Sequence, residues 1–214
     1  MSYKSANKRC FDVAASAVGL LAISPLLFLI ALCIKLSDWG PVFFFQERIG
    51  WKGVPFKIIK FRTMIPNAER LGLSITKDGD PRVTGCGRFL RKTKLDELPQ
   101  LFNVLIGQMS FVGPRPEVAR YVANYTSEQR MVLLLKPGIT DLATLEFRNE
   151  ESLLSEARDA ERFYREFCVP RKIELNLDYS KRANLWQDLK IILHTLFPVR
   201  KSKATAYASG NPKA

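Results

Sequence analysis

Residues 13–34 contain no charged side chain and are dominated by Val, Leu, Ile, Ala and Phe. As a helix rising about 1.5 Å per residue the run is about 33 Å long, close to the roughly 30 Å hydrocarbon thickness of a bilayer. Its length permits a crossing. No A-x-A-type cleavage site follows, and the chain runs on into Lys35, Asp38, Trp39 and Gly40-Pro41, so the segment is expected to stay attached rather than be removed as a signal peptide. Two features oppose a simple crossing. Ser24-Pro25 stands in the middle, where proline removes one backbone hydrogen bond and crowds the preceding turn, so a kink is expected. Lys4, Lys8 and Arg9 precede the run while Lys35, Arg48 and Lys52 follow it, and positive flanks favour the cytoplasm. Both ends therefore ask for the same side. A re-entrant helix that enters, bends at Ser24-Pro25 and returns meets that demand where protein covers the broken backbone groups. A kinked bitopic helix and a buried helix of a soluble domain are the other readings.

The remainder is globular in composition. Of 214 residues 47% are hydrophobic and 25% charged, which excludes an intrinsically disordered chain and leaves room for one domain beside the anchor. Cysteines 10, 33, 86 and 168 form no CxxC pair and read as reduced thiols facing the cytosol. The single histidine, His194, excludes a His-rich metal centre and has the look of a surface bystander. Chemistry falls to carboxylates, Lys, Arg, Ser, Thr or Cys.

Along the chain, residues 42–45 and 56–61 predict short strands divided by a turn at 50–53, a small hairpin or mixed sheet. Residues 68–80 are polar and predict a mobile loop. Helical spacing sets in after Thr84 and continues through Leu98, Leu101, Phe102, Leu105 and Ile106 to Gly107. A break is expected at Gly113-Pro114-Arg115-Pro116, and helices over 118–135 and 150–167. A last amphipathic helix over 184–197 carries a Trp and Leu face that suits a membrane interface or a core equally. The fold class is α/β, mostly helical with a small sheet: an anchor over 1–38, a domain over 39–200 and a disordered tail over 201–214.

The net charge is +12 and it is local. From Lys57 to Lys94 ten Lys or Arg stand against three acids, and from Lys181 to the end seven bases stand against Asp188. Such stretches serve nucleic acid, anionic headgroups or phosphorylated small molecules alike. The neighbouring apolar run points to phosphate at a membrane surface. Nucleic acid is not expected, because no recognisable module accompanies the charge.

Within the basic zone stands Thr93-Lys94-Leu95-Asp96-Glu97-Leu98-Pro99-Gln100. Two adjacent carboxylates at the expected start of a helix have two readings. They cap the helix, as Asp and Glu commonly do. Alternatively, free backbone N–H groups and the dipole keep Asp96 ionised beside a phosphoryl group, on which it acts as a nucleophile.

The surroundings bear on that choice. Lys60-Phe61-Arg62-Thr63-Met64, Arg88-Phe89-Leu90-Arg91, Leu95 to Val104 around Asp96-Glu97, Met109 to Pro116 and Lys136-Pro137-Gly138-Ile139-Thr140 occur in this order. Together they resemble the bacterial sugar transferases, the monotopic phosphoglycosyl transferases, over about Lys8 to Phe197. The resemblance implies a re-entrant anchor broken at Ser24-Pro25 and a catalytic domain on the cytoplasmic face of the bacterial inner membrane. It implies transfer of a sugar-1-phosphate from a UDP-sugar to polyprenyl phosphate, with Mg²⁺ required and UMP released. By motif match Asp96 is the nucleophile that forms a covalent phosphosugar intermediate, Glu97 is its partner, and Asp96 with the substrate phosphates is the expected Mg²⁺ site. Lys60, Arg62, Arg88 and Arg115 are the candidate phosphate-binding cations, Arg115 foremost because flanking prolines stiffen its backbone.

After Gly138-Ile139-Thr140 many relatives continue Gly-Leu-Ala-Gln and then Gly-Arg-Asn or Gly-Arg-Ser, whereas this chain reads Asp141-Leu142-Ala143-Thr144-Leu145-Glu146-Phe147-Arg148-Asn149. That stretch is expected near the sugar, with Arg148 as a further candidate substrate-binding cation, so the sugar's identity and the detailed role of Arg148 stay open. The long multi-span extension of larger relatives is missing, which reads as the minimal catalytic unit. Membrane lipids are expected partners, association of identical copies is left open, and a catalytically idle membrane adaptor is the alternative function.

Overall fold

In the computed structural model, residues 5–68, 76 and 79–197 are described. The apolar run lies within one helix, α1 (Ser5–Asp38), which has Pro25 inside it. Pro25 cannot supply the amide hydrogen that the Leu21 carbonyl would accept in an unbroken ladder. The Ser24 hydroxyl donates to that carbonyl instead, at 2.8 Å.

Both ends of α1 rest on the same body. Near its start Arg9 donates to the carbonyls of Val104 and Leu105 at 2.6 and 2.7 Å, Asp12 accepts the Phe111 N–H at 3.2 Å, and Lys8 pairs with Asp188. Near its end Ile30 and Ile34 are buried with Phe61 and Leu90, and Asp38 receives the Arg62 guanidinium. The outer face is bare: Val18, Leu21, Phe28 and Leu29 are all at least 60% exposed. A helix buried in a soluble core does not leave such a stripe to water.

Next comes an antiparallel hairpin, β1 (Phe43–Ile49) with β2 (Pro55–Phe61), closed by a 3-10 turn at Trp51–Gly53. Its register sets Phe44 opposite Lys60, Gln46 opposite Ile58 and Arg48 opposite Phe56. Since side chains alternate along a strand, Gln46, Arg48, Ile58 and Lys60 share the face turned to the protein. A second sheet pairs β3 (Ser110–Val112) with β4 (Gly138–Thr140) in parallel. Between the hairpin and β3 lie α2 (Gly85–Thr93) and α3 (Gln100–Leu105).

The larger core belongs to the second half. It is built from α4 (Ala119–Val122), α5 (Ser127–Arg130), α6 (Leu142–Glu146), α7 (Glu150–Glu156), α8 (Ala160–Phe163) and α9 (Val169–Arg182), with α10 (Leu185–Leu196) packed over the β3–β4 pair. Tyr121, Val122, Phe147, Leu153, Tyr164 and Ile173 are among its buried members.

The structure corrects several expected elements. The single helix over 118–135 is α4, α5 and a 3-10 turn, because Thr126 starts a new helix through a reciprocal cap with Gln129. The helix over 150–167 is α7, α8 and a π-helical turn at Tyr164–Cys168, cut where Asp159 caps α8. That turn leads without a break into α9, which the sequence does not announce; Pro170, which has no N–H to donate, sits directly after the π turn, where such irregularities absorb a missing helix hydrogen bond. The parallel β3–β4 pair was also unforeseen. The expected loop over 68–80 lies almost wholly outside the described residues, and the tail over 201–214 lies wholly outside them.

The seam between α1 and α2 is testable. Leu90 is 2% exposed against Ile30, Ile34 and Phe61. Leu90→Ala should cost about 3 kcal/mol, a fall of roughly 6–12 °C in the melting temperature of the detergent-solubilised protein. A melt unchanged within a degree would show that α1 does not pack there.

Candidate active site

The site begins where β2 hands over to α2. Thr84 caps α2 by accepting the Gly87 N–H at 2.9 Å, and α2 is pressed so close to the strand's continuation that a Cβ on Gly87 would lie 2.0 Å from the Thr63 carbonyl oxygen. At the far end Lys94 adopts a left-handed conformation, φ 58°, which turns the chain out of α2 into a 3-10 turn at Leu95–Glu97. Neither carboxylate caps a helix. Asp96 and Glu97 do stand at a helical start, the 3-10 turn that runs through Leu98 and Pro99 into α3, but without capping it, and neighbouring side-chain charges set their acidity.

Glu97 is the hub. Arg115 donates to it through both terminal nitrogens, Nη1 to Oε2 at 3.0 Å and Nη2 to Oε1, and Lys60 Nζ donates to Oε1 at 3.1 Å. The side chain is 15% exposed. Burial acts to raise the Glu97 carboxyl, but the Arg115 and Lys60 charges overcome it and hold the group well below the usual carboxylate range. Lys60 is itself pushed down by burial, with Glu97 opposing.

Asp96 has the opposite surroundings. It is 8% exposed and its Oδ1 is buried with no hydrogen-bond partner. Burial first and the Glu97 charge second push its carboxyl up, while Lys60, Arg91 and Lys94 pull it down. Asp96 thus keeps a carboxylate oxygen that the protein does not satisfy, among the charges of Lys60, Arg91 and Lys94.

Arg115 is placed by the crossing of two short strands. Gly113 donates to Thr140 O at 3.0 Å and Gly138 donates to Pro114 O at 3.1 Å. A Cβ on Gly113 would sit 2.2 Å from the Lys136 carbonyl oxygen, so only glycine fits there. Arg48 donates to Pro116 O at 3.1 Å and to Gln46 Oε1 at 2.6 and 3.0 Å, bracing the other side of the segment.

Of the sequence-derived candidates, the structure brings Asp96, Glu97, Lys60 and Arg115 together. Arg62 is engaged elsewhere: it is 7% exposed, forks onto Asp38 and donates to Pro41 O at 2.6 Å, which lowers the Asp38 carboxyl to about 2. Arg148 donates to Thr195 O at 2.9 Å, tying α6 to α10, and Arg88 is exposed on α2. The arginine of α2 whose charge reaches Asp96 is Arg91, which also pairs with Glu151 at 2.6 Å. Helix phase could have chosen it, since Arg91 lies one turn after buried Gly87, while Arg88 lies one turn before exposed Lys92. Gln46 and Arg48 were likewise legible from strand alternation with Lys60.

Among the described residues no three His, Cys, Asp or Glu side chains form a metal cage. The donor set still fits Mg²⁺, which takes one or two carboxylates and fills its shell with water and substrate phosphate. The free Asp96 Oδ1 is the hard oxygen such an ion needs.

A carboxylate pair ringed by Lys and Arg thus lies on a body whose first helix leaves a broad apolar face exposed. The chain belongs to the bacterial sugar transferase family, whose sequence profile matches residues 3–202. A Klebsiella pneumoniae protein named UDP-glucose:undecaprenyl-phosphate glucose-1-phosphate transferase is 42% identical over 196 residues, 89% of this chain and 39% of its own. An Aeromonas hydrophila protein named UDP-N-acetylgalactosamine-undecaprenyl-phosphate N-acetylgalactosaminephosphotransferase is 38% identical over 192 residues, 88% of this chain and 42% of its own. The exopolysaccharide production protein ExoY of Sinorhizobium fredii is 35% identical over 214 residues, 93% of this chain and 88% of its own. The chain thus spans about two fifths of the first two relatives and most of the third.

The charge balance at Asp96 gives a prediction. Arg91→Gln removes one of the charges that stabilise the carboxylate, so the Asp96 midpoint should move to higher pH and the ionised form should be lost earlier as pH falls. Titration of ¹³Cγ-labelled aspartate by NMR, with Asp96→Asn to assign the signal, measures this; an unmoved midpoint would refute the role given to Arg91.

Proposed function

We propose that the protein transfers a sugar-1-phosphate from a UDP-sugar to polyprenyl phosphate at a bacterial inner membrane, releasing UMP and starting a membrane-linked glycan. The observation that carries this reading is the pair of adjacent carboxylates with divided surroundings: Asp96 with a bare oxygen, Glu97 saturated by Arg115 and Lys60. In the first half-reaction Asp96 attacks the β-phosphorus of the donor. An aspartyl oxygen–phosphorus bond forms, the bond to the UMP oxygen breaks, and the sugar phosphate stays on the enzyme. In the second, an oxygen of polyprenyl phosphate attacks that phosphorus and frees Asp96.

Glu97 keeps the Arg115 guanidinium and the Lys60 ammonium aimed at one place before substrate arrives, so their charge meets the diphosphate without reorganisation. Mg²⁺ bound by Asp96 and the substrate phosphates would neutralise charge on the diphosphate and hold the Asp96 carboxyl ionised. Sugar choice is left to contacts beyond these residues, and the relatives' names differ in the sugar.

The anchor supports a membrane-surface reaction. Fastening of both α1 ends to one body favours a re-entrant path, with Ser24-Pro25 at the turn and the Ser24 hydroxyl covering the freed carbonyl, over a bitopic crossing. The exposed Trp186, Leu193 and Leu196 of α10 would meet the same interface, and the catalytic body then lies on the cytoplasmic face, where nucleotide sugars are made.

Nanodisc-embedded protein given Mg²⁺, polyprenyl phosphate and a panel of UDP-sugars should release UMP with at least one donor, and Asp96→Asn should lower the rate by at least about 10³-fold, as loss of a nucleophile does. Activity surviving in Asp96→Asn would remove the covalent step; wild-type silence across the panel would remove the donor class.

A further inference from the structure

The backbone of Arg115 is anchored by a carboxylate outside the reacting pair. Asp141, 1% exposed, stands immediately before α6. Its Oδ1 accepts the Thr144 N–H at 2.6 Å and caps that helix. Its Oδ2 accepts two more donors, the Arg115 N–H at 3.1 Å and Asn176 Nδ2, from α9, at 2.8 Å. From Gly113 to Pro116 only Gly113 and Arg115 have an amide hydrogen, because Pro114 and Pro116 have none. The first goes to Thr140 O and the second to Asp141, so Asp141 takes the last main-chain donor of the segment that carries the guanidinium.

We infer that Asp141 is a positioning residue of the transferase: it fixes the Arg115 main chain, with α6 and α9 as its footing, so that both guanidinium nitrogens reach Glu97 together. The inference rests on the reading above, in which Arg115 gathers the substrate phosphates. A fork that must present two nitrogens at once tolerates little drift, and misplacement of about 1 Å can cost 10²-fold in rate. Asp141 offers acceptors to all three donors. An asparagine there offers one oxygen and turns an amide N–H₂ towards the rest.

The test compares Asp141→Asn, Arg115→Ala, their double variant, Asn176→Ala and the exchanged pair Asp141→Asn/Asn176→Asp, all in nanodiscs. UMP release yields kcat and KM, and hydrogen exchange reports the Arg115 amide. Asp141→Asn should lower kcat by about ten- to a hundredfold. The double variant should be no slower than Arg115→Ala alone, since the two changes disable one device. Asn176→Ala should lower the melting temperature while leaving kcat within about threefold, because it removes only a footing contact. The exchanged pair separates support of the fold from positioning. It restores the hydrogen bond between positions 141 and 176 and the cap on α6, though not the 2.9 Å bond from Asn176 Nδ2 to the Lys172 carbonyl, and it leaves the Arg115 N–H facing an amide, so melting should recover in part while kcat and amide protection stay low. Additive losses in the double variant, recovery of kcat in the exchanged pair, or an Arg115 amide equally protected in Asp141→Asn would each overturn the inference. Wild-type silence across the UDP-sugar panel overturns the transferase reading instead, and amide exchange then decides the anchoring by itself.

Discussion

Withdrawing the Glu97 carboxylate largely, and the Arg115 guanidinium partly, from water carries a desolvation cost, and their attraction offsets this only where geometry is good and the remaining donors and acceptors are satisfied. The surroundings meet that condition from several directions. Lys60 from β2 supplies a further donor to Glu97, the crossing of β3 and β4 fixes the backbone that bears Arg115, and Arg48 braces the carbonyl just beyond it. Each support is itself long-range in sequence: Lys60 and Glu97 are 37 residues apart, and Arg48 and Pro116 are 68 apart. A pair so dependent on distant elements is a weak source of stability but a stringent check on the fold.

The anchor is part of that arrangement. The turn bearing Asp96 and Glu97 hangs between α2 and α3, and α1 holds both. Ile30 and Ile34 pack with Leu90 of α2, while Arg9 neutralises the open carbonyls at the end of α3, where a cation also suits the helix dipole. Arg62 closes the frame by binding Asp38 at the end of α1 immediately after β2 has delivered Lys60. The long apolar helix and the site are thus buttressed through the same two short helices, so a displacement of α1 reaches the carboxylate turn without a separate relay.

Legibility in the sequence followed the range of the forces involved. The long apolar helix, the hairpin and the amphipathic α10 were readable because each is announced by local periodicity. The Asp96-Glu97 pair, Lys60 and Arg115 were readable from motif. What escaped was decided at a distance. Arg62 stands in the same short motif as Lys60, and strand alternation alone would put the two on one face, but β2 ends at Phe61 and Asp38, 24 residues away, claims Arg62. The strands β3 and β4 are three residues each and parallel, with no alternation long enough to announce them. The helix caps at Thr126 and Asp159 were present in the text, yet helical spacing on either side concealed the restarts. Asp141 read as a departure from its relatives near the sugar, whereas the structure places it under Arg115.

Two adjacent carboxylates displaced in opposite directions divide the chemistry between them. Had both been exposed, each would have kept an ordinary acidity and neither would have had a defined task. Burial penalises both ions, but Arg115 and Lys60 make good the loss for Glu97 alone, leaving Asp96 with an oxygen that the protein does not satisfy. The Glu97 carboxylate is a poor nucleophile, since three hydrogen bonds from two cations occupy most of its acceptor sites. The unsatisfied one is destabilised as an anion and gains most from anything that brings it positive charge or a phosphorus centre. The same cations that hold Glu97 down therefore lie close to Asp96, so an anionic group drawn to that carboxylate would meet charge already in place.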